Sequence, residues 1–270
     1  PLAYRGAITD GVLEWNKAFE RIGFKNAIVV KQQADDATFD TLDVNVASLR
    51  WLINSEAQFG AIGPSQVDPR TGEILDADIS FESLSSRGLR FIRSSLLARP
   101  SPSGFTVDWA GLLQARDAQR EGVLPSDVAP EAHAHGESCL HGDQAAEQLA
   151  YALEVLESRG ELDPEGPEVQ RFVLDYLKDT TMHEVGHTLG LRHNFRSSRV
   201  YTEQQLSDEG FTRERGLAGS VMEYAPLNLP RPGEKGGTAF QLALGPYDYW
   251  AIEYADRPLD PASEAAELRR

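Results

Sequence analysis

Fourteen residues constrain this chain more than any others: Thr181-Met182-His183-Glu184-Val185-Gly186-His187-Thr188-Leu189-Gly190-Leu191-Arg192-His193-Asn194. Side chains four apart on a helix share a face, so His183 and His187 can direct ring nitrogens at one ion. Glu184, one residue round the helix, reaches past that ion without being a ligand. Gly190 tolerates the positive φ with which a chain leaves a helix, and the reversed chain then brings His193 back to the same centre. Three neutral imidazoles leave a fourth position open, which separates a catalytic zinc site from a closed structural one. Two histidines and a glutamate recur by chance in ordinary helices. The full spacing H-E-x-x-H-x-x-G-x-x-H is far rarer, and surface histidines on an unrelated helix would have to reproduce it at every position.

The chemistry expected of such a centre is hydrolysis. Zinc polarises a carbonyl and lowers the pKa of water from about 15.7 to roughly 7. Glu184 is the expected general base, taking the proton and passing it to a leaving amine. Peptide-bond cleavage fits this set of groups.

About thirty residues on, Ser220-Val221-Met222-Glu223-Tyr224-Ala225-Pro226 resembles the Met-turn of the metzincin clan of zinc endopeptidases. The resemblance implies that Met222 lies as an apolar floor beneath the histidines. It also implies that Tyr224 ligates zinc at rest or swings to bind the tetrahedral intermediate. A plain core methionine and a half-buried tyrosine are the simpler readings of these two residues. Further segments are similar to the bacterial Met-zincin family of extracytoplasmic metalloproteases. They are Trp15-Asn16-Lys17-Ala18-Phe19, Gly63-Pro64-Ser65, Val67 to Ile79 through Asp68-Pro69-Arg70-Thr71-Gly72, and Gly245-Pro246-Tyr247-Asp248-Tyr249-Trp250. The likeness spans most of residues 4 to 255 and is weakest from Ser94 to Cys139. It implies a secreted, periplasmic or cell-surface location, and flanking domains beyond this chain. It also implies that Ala225, Pro226 and Leu227 wall the pocket for the residue after the scissile bond.

Composition narrows the alternatives. A chain of 270 residues with 41% hydrophobic and 25% charged residues suits one substantial core or two lobes sharing a cleft. No apolar run approaches the roughly 18 residues of a membrane span, and no signal peptide is present. The chain therefore reads as an excised catalytic domain, and a monomer is expected. A net charge of −16 argues against nucleic acid and anionic membranes as partners and is compatible with a peptide or protein substrate. One cysteine, Cys139, excludes an internal disulfide.

Along the chain, Asp10 is the expected cap of a first helix, with Val12, Trp15, Phe19 and Ile22 on one face and Gly23 ending it. Ala27 to Lys31 reads as a buried strand. Asp35-Asp36 to Asp43 reads as a solvated acidic loop in preference to a calcium site, and Ser48 to Ile53 as a second strand. Ala61 to Val67 and Glu73 to Phe81 form an expected hairpin. By resemblance its second arm, at Ala77, Asp78 and Ile79, is the edge strand that pairs with extended substrate, the alternative being an ordinary interior strand. Helices are expected near 84–97 and 109–120. The Pro- and Ser-rich 99–141 region is a lid or, more simply, a tolerated insertion. His133, His135, Cys139 and His141 match no defensible zinc spacing, and Cys139 as a latch on the zinc lacks support. Amphipathic helices are expected from Asp143 to Arg159 and from Glu168 through the motif, with further helices at 203–206 and 247–254 and an acidic tail free to fray.

The expected fold is α+β. A twisted, mostly parallel sheet with an antiparallel edge strand and long helices forms an upper lobe (1–192). A smaller irregular and helical lower lobe (193–270) completes a single catalytic domain. Two other readings stand beside the endopeptidase. One is an inactive zinc-binding adhesion or toxin module, which has no need of Glu184. The other is a zincin of another clan with a downstream glutamate as third ligand, which the Gly190 and His193 spacing disfavours.

Overall fold

The computed structural model describes residues 2–53, 60–82, 139–163 and 166–269. The chain divides into two compact units, Pro1–Leu89 with Leu140–Arg270, and Arg90–Cys139. Of the second unit only Cys139 is described, so His133, His135 and the helices expected near 84–97 and 109–120 lie outside the described residues.

Two helices, α1 (Leu2–Glu14) and α2 (Asn16–Arg21), open the first unit. Asp10 therefore lies inside a helix rather than at its cap, and the break falls at Trp15. That residue is fully buried, and its indole N–H donates to the Met182 carbonyl at 3.0 Å. A large apolar body with one polar handle suits a junction where a buried carbonyl needs a donor. The strand expected over 27–31 is absent: Val29 and Val30 are exposed and Ile28 is tied back to the Asn16 side chain. Without a neighbouring strand to bond, β propensity alone does not make one.

The sheet is small and mixed. Strand β1 (Ser48–Leu52) pairs in parallel with β4 (Ile74–Glu82), while β2 (Ala61–Ile62) and β3 (Ser65–Val67) pair antiparallel with β4 on its other side. Among the described residues one pairing is parallel and two are antiparallel, so the sheet is not mostly parallel. The expected turn holds through Asp68, which accepts from the backbone N–H groups of Thr71's neighbours Arg70 and Gly72. Gly72 takes a φ of +77° there, which costs glycine little. β4 is central: Ala77 lies opposite Ser65, Asp78 opposite Ser48 and Ile79 opposite Leu49. The edge expected at Ala77, Asp78 and Ile79 is therefore formed by the first arm of the hairpin instead.

Two long helices pack together beside the sheet. Helix α3 (His141–Ser158) buries Ala145, Leu149, Ala152, Leu153 and Leu156 at helical spacing. Helix α4 (Pro167–Thr188) starts with proline at its first turn, where a missing N–H costs nothing. Its second half is enclosed on every side: Tyr176, Leu177, Thr180, Met182, His183 and Glu184 are all buried. Beyond His193 come a short 3-10 turn (Ser197–Arg199) and helices α5 (Glu203–Leu206), α6 (Glu209–Arg215), α7 (Pro246–Asp256) and α8 (Glu264–Glu267). Helix α5 matches its expected bounds, fixed by a reciprocal Thr202–Gln205 capping box. No helix among the described residues is long and apolar enough to cross a membrane.

Candidate metal centre

The motif folds as its spacing requires. Helix α4 carries His183 and His187 on adjacent turns, and Gly190 leaves the helix end at φ +88°. The Leu191 N–H closes back on the Gly186 carbonyl at 3.0 Å, which turns the chain so that His193 rejoins the first two histidines. One ring nitrogen from each of the three lies within 4.8 Å of the others, a grouping able to hold a metal ion.

Backbone carbonyls set the orientation of two rings. His183 Nδ1 meets the Val221 carbonyl at 2.7 Å, and His187 Nδ1 meets the Leu191 carbonyl at 3.0 Å. A carbonyl only accepts, so each Nδ1 carries the proton and each Nε2 presents a lone pair. His187 Nε2 then faces His193 Nε2 at 3.0 Å. Nitrogen lone pairs that converge in this way call for a shared cation. Around a tetrahedral zinc, with bonds of about 2.0 Å, neighbouring nitrogens stand roughly 3.3 Å apart. The donor set therefore fits zinc. Burial, reinforced by the neighbouring imidazoles of His141 and His187, holds His183 well below the ordinary histidine pKa. His187 is lowered by burial against the opposing bond to Leu191. Both rings are thus in the neutral, ligating form at pH 7.

The segment Ser220 to Tyr224 packs against α4 and orients one of its histidines. Met222 is fully buried, and a Cβ added at Gly186 would overlap its Sδ and come within 3.0 Å of Trp15. The missing Cβ at Gly186 therefore leaves the space that Met222 occupies against α4. The turn itself is clamped by Asp248 of α7. Its carboxylate accepts from Ser220 Oγ at 2.6 Å, from Val221 N–H at 2.9 Å and from Gly245 N–H at 2.8 Å. Asp248 thus anchors Val221 through its N–H, and the carbonyl of the same residue orients His183. Asn194 N–H, next to His193, donates to the Met222 carbonyl at 2.9 Å. Glu223 accepts from Ser198 N–H at 3.1 Å and braces the segment after the third histidine.

Glu184 is fully buried beside the centre. The chain leaving β2 passes very close to it: a Cβ on Gly63 would lie 2.6 Å from the Glu184 carbonyl and 3.1 Å from its Oε2. The edge of the sheet and the carboxylate are thereby adjacent. Tyr224 Oη lies 3.1 Å from His193 Nε2 and accepts the Leu140 N–H at 2.8 Å. Ala225, Pro226 and Leu227 follow directly, and Leu227 N–H donates to Gln148 Oε1 of α3 at 2.5 Å.

His141, at the start of α3, stacks on His183 with ring centres 4.0 Å apart and planes 7° from parallel. Burial pushes its pKa down to about 3. It is a neighbour of the ligand His183 and not one of the converging donors. Sequence reasoning missed this contact, as it missed Asp248, the Val221 and Leu191 carbonyls and the approach of Gly63. Asp248 and Gly63 both sit in segments recognised only as kinship.

A long helix, a glycine exit and three convergent imidazoles form a cluster able to hold a metal ion. Residues 165–270 match the Met-zincin family model, a span that contains the histidines, the Met-turn and the Asp248 clamp. The match and the cluster together point to zinc and to a metalloprotease-type function. No curated protein and no solved structure matches the chain.

Proposed function

We propose that this chain is a zinc-dependent endopeptidase acting on peptides or proteins outside the cytoplasm. The convergence of His183, His187 and His193 beside the buried Glu184 carries the reading. A bound zinc ion would supply Lewis acidity for the scissile carbonyl and acidify the attacking water. Glu184 accepts that water's proton and returns it to the leaving amine. Tyr224, beside His193, donates its hydroxyl proton toward the oxygen that gains charge in the transition state. Met222 and Gly186 keep the helix seated, and Gly190 sets the return of His193.

Substrate is taken up in extended form along β2 and β3. These strands bond only to β4 among the described residues, and Gly63 between them lies against Glu184. Strand addition of this kind reads backbone more than side chains. Ala225, Pro226 and Leu227 wall the pocket beyond the cut.

The deciding experiment is replacement Glu184→Gln in zinc-loaded protein, with cleavage of a peptide library mapped by mass spectrometry. Turnover should fall by at least three orders of magnitude while zinc stays near one equivalent, and retained turnover would refute the assignment of the base. Tyr224→Phe should lower kcat more than it raises KM, because its bond strengthens only in the transition state.

A further inference from the structure

One ring beside His183 is set differently from the rest. His141, the first residue of α3, lies 4.0 Å from it centre to centre, with planes 7° from parallel. The rings of His187, His193 and Tyr224 stand 4.8, 5.3 and 5.6 Å away and are inclined by 81°, 29° and 52°. The bond from His183 Nδ1 to the Val221 carbonyl secures only one edge of the ring. A hydrogen bond tolerates about 30° of misalignment, whereas a metal site asks for roughly 10–20°. A flat neighbour across the ring face supplies the missing restraint, because a tilt of His183 drives one edge of its ring into His141.

The support is itself braced. Leu140 N–H donates to Tyr224 Oη at 2.8 Å, and the Gly142 carbonyl accepts from Tyr176 Oη of α4 at 3.3 Å. A Cβ on Gly142 would lie 2.5 Å from the Ala61 nitrogen, so the first turn of α3 is pressed against β2 without slack. His141 is buried there, and its Nε2 has no hydrogen-bond partner among the described residues. Hydrogen bonding at that atom does not account for the ring's place; the flat contact does.

We propose that His141 is a positioning residue for the metal centre: its face holds the plane of His183 so that the three histidines converge on one cation. The proposal rests on the metal-centre reading and is independent of peptidase activity. Coordination leaves an imidazole electron-poor, and the π face of a parallel ring attracts such a partner. Outer groups that orient a metal ligand typically change affinity 10–100-fold when they are replaced.

The test compares His141→Phe, which keeps a flat ring, with His141→Leu, which fills the space without one. Zinc affinity is read by competition with a chelator, geometry from the visible spectrum of the cobalt(II) form, and folding from the urea midpoint of metal-free protein. His141→Leu should bind zinc at least tenfold more weakly and lose the intense tetrahedral cobalt bands, while unfolding at the same urea concentration as His141→Phe. His141→Phe should bind within threefold of the unsubstituted protein and keep those bands. Equal affinity in all three proteins, a phenylalanine variant as weak as the leucine one, or a loss in His141→Leu that tracks a fall in its urea midpoint would overturn the role of His141 and leave the metal centre standing. An unsubstituted protein that takes up neither zinc nor cobalt would sink the metal centre and this inference with it.

Discussion

Glycine at position 186 shows how tightly single residues govern this centre. It lies inside a helix, where glycine costs up to about 1 kcal/mol against alanine, and still alanine has no room. Gly186→Ala would force Met222 and Trp15 aside. Overpacking of this kind costs roughly 1–3 kcal/mol, so urea unfolding should show a loss of stability where helix propensity alone would give a gain. The histidine cluster was legible because its chemistry is written in side-chain types: three histidines and a glutamate fall within eleven residues, at spacings a helix and its exit satisfy. Their orientation was not legible, because Val221 and Leu191 act through carbonyl oxygens that every residue possesses.

At the scale of elements, the decisive join is between the Met-turn and α7. Asp248 ties them with three hydrogen bonds and indirectly steadies His183. Asp248→Asn should cost about 1–3 kcal/mol and weaken zinc affinity about tenfold, measured by competition with a chromophoric chelator. Unchanged affinity would mean that the Val221 carbonyl holds its place unaided. Helices α3, α4 and α5 followed from apolar spacing and capping residues. The sheet did so only in part. Alternation of side chains distinguishes the faces of a strand but not its neighbours, so the two arms of the hairpin could not be ranked as edge and centre. Ala27 to Lys31 shows the same limit, since an apolar run becomes a strand only where another strand waits to bond it.

For the whole molecule, acid works through two opposed sets of buried groups. His141, lowered to about 3, refuses a proton that the unfolded chain accepts below about pH 6.5. Its contribution is intact above that pH and is lost as pH falls, by about 2 kcal/mol at pH 5. His183 and His187 are displaced in the same direction. Asp248 is raised to about 6 by burial, against the hydrogen bonds from Ser220, Val221 and Gly245. Its ionisation costs stability above that pH, and protonation relieves about 1 kcal/mol between pH 6 and 5. Burial raises Asp179 well above the ordinary carboxylate range and raises Asp175 as well, so both also gain stability in acid. His141 alone loses about 2 kcal/mol at pH 5, and two more histidines are displaced with it. The urea midpoint of metal-free protein should therefore fall between pH 7 and pH 5, and a rising midpoint would show the three carboxylates in control. Zinc should be released over the same range, as the imidazoles take up protons.

The three histidine donors come from residues 183 to 193, whereas the carbonyl that aims His183 and the carboxylate behind that carbonyl's residue lie at 221 and 248. Transplanting the histidine segment alone into a foreign helix would move the chelating atoms and leave their alignment behind. During folding the same separation imposes an order: high-affinity capture of the ion has to wait until the C-terminal third has closed beneath the helix. The cation then acts as a seal on a finished chain rather than a seed for an unfinished one.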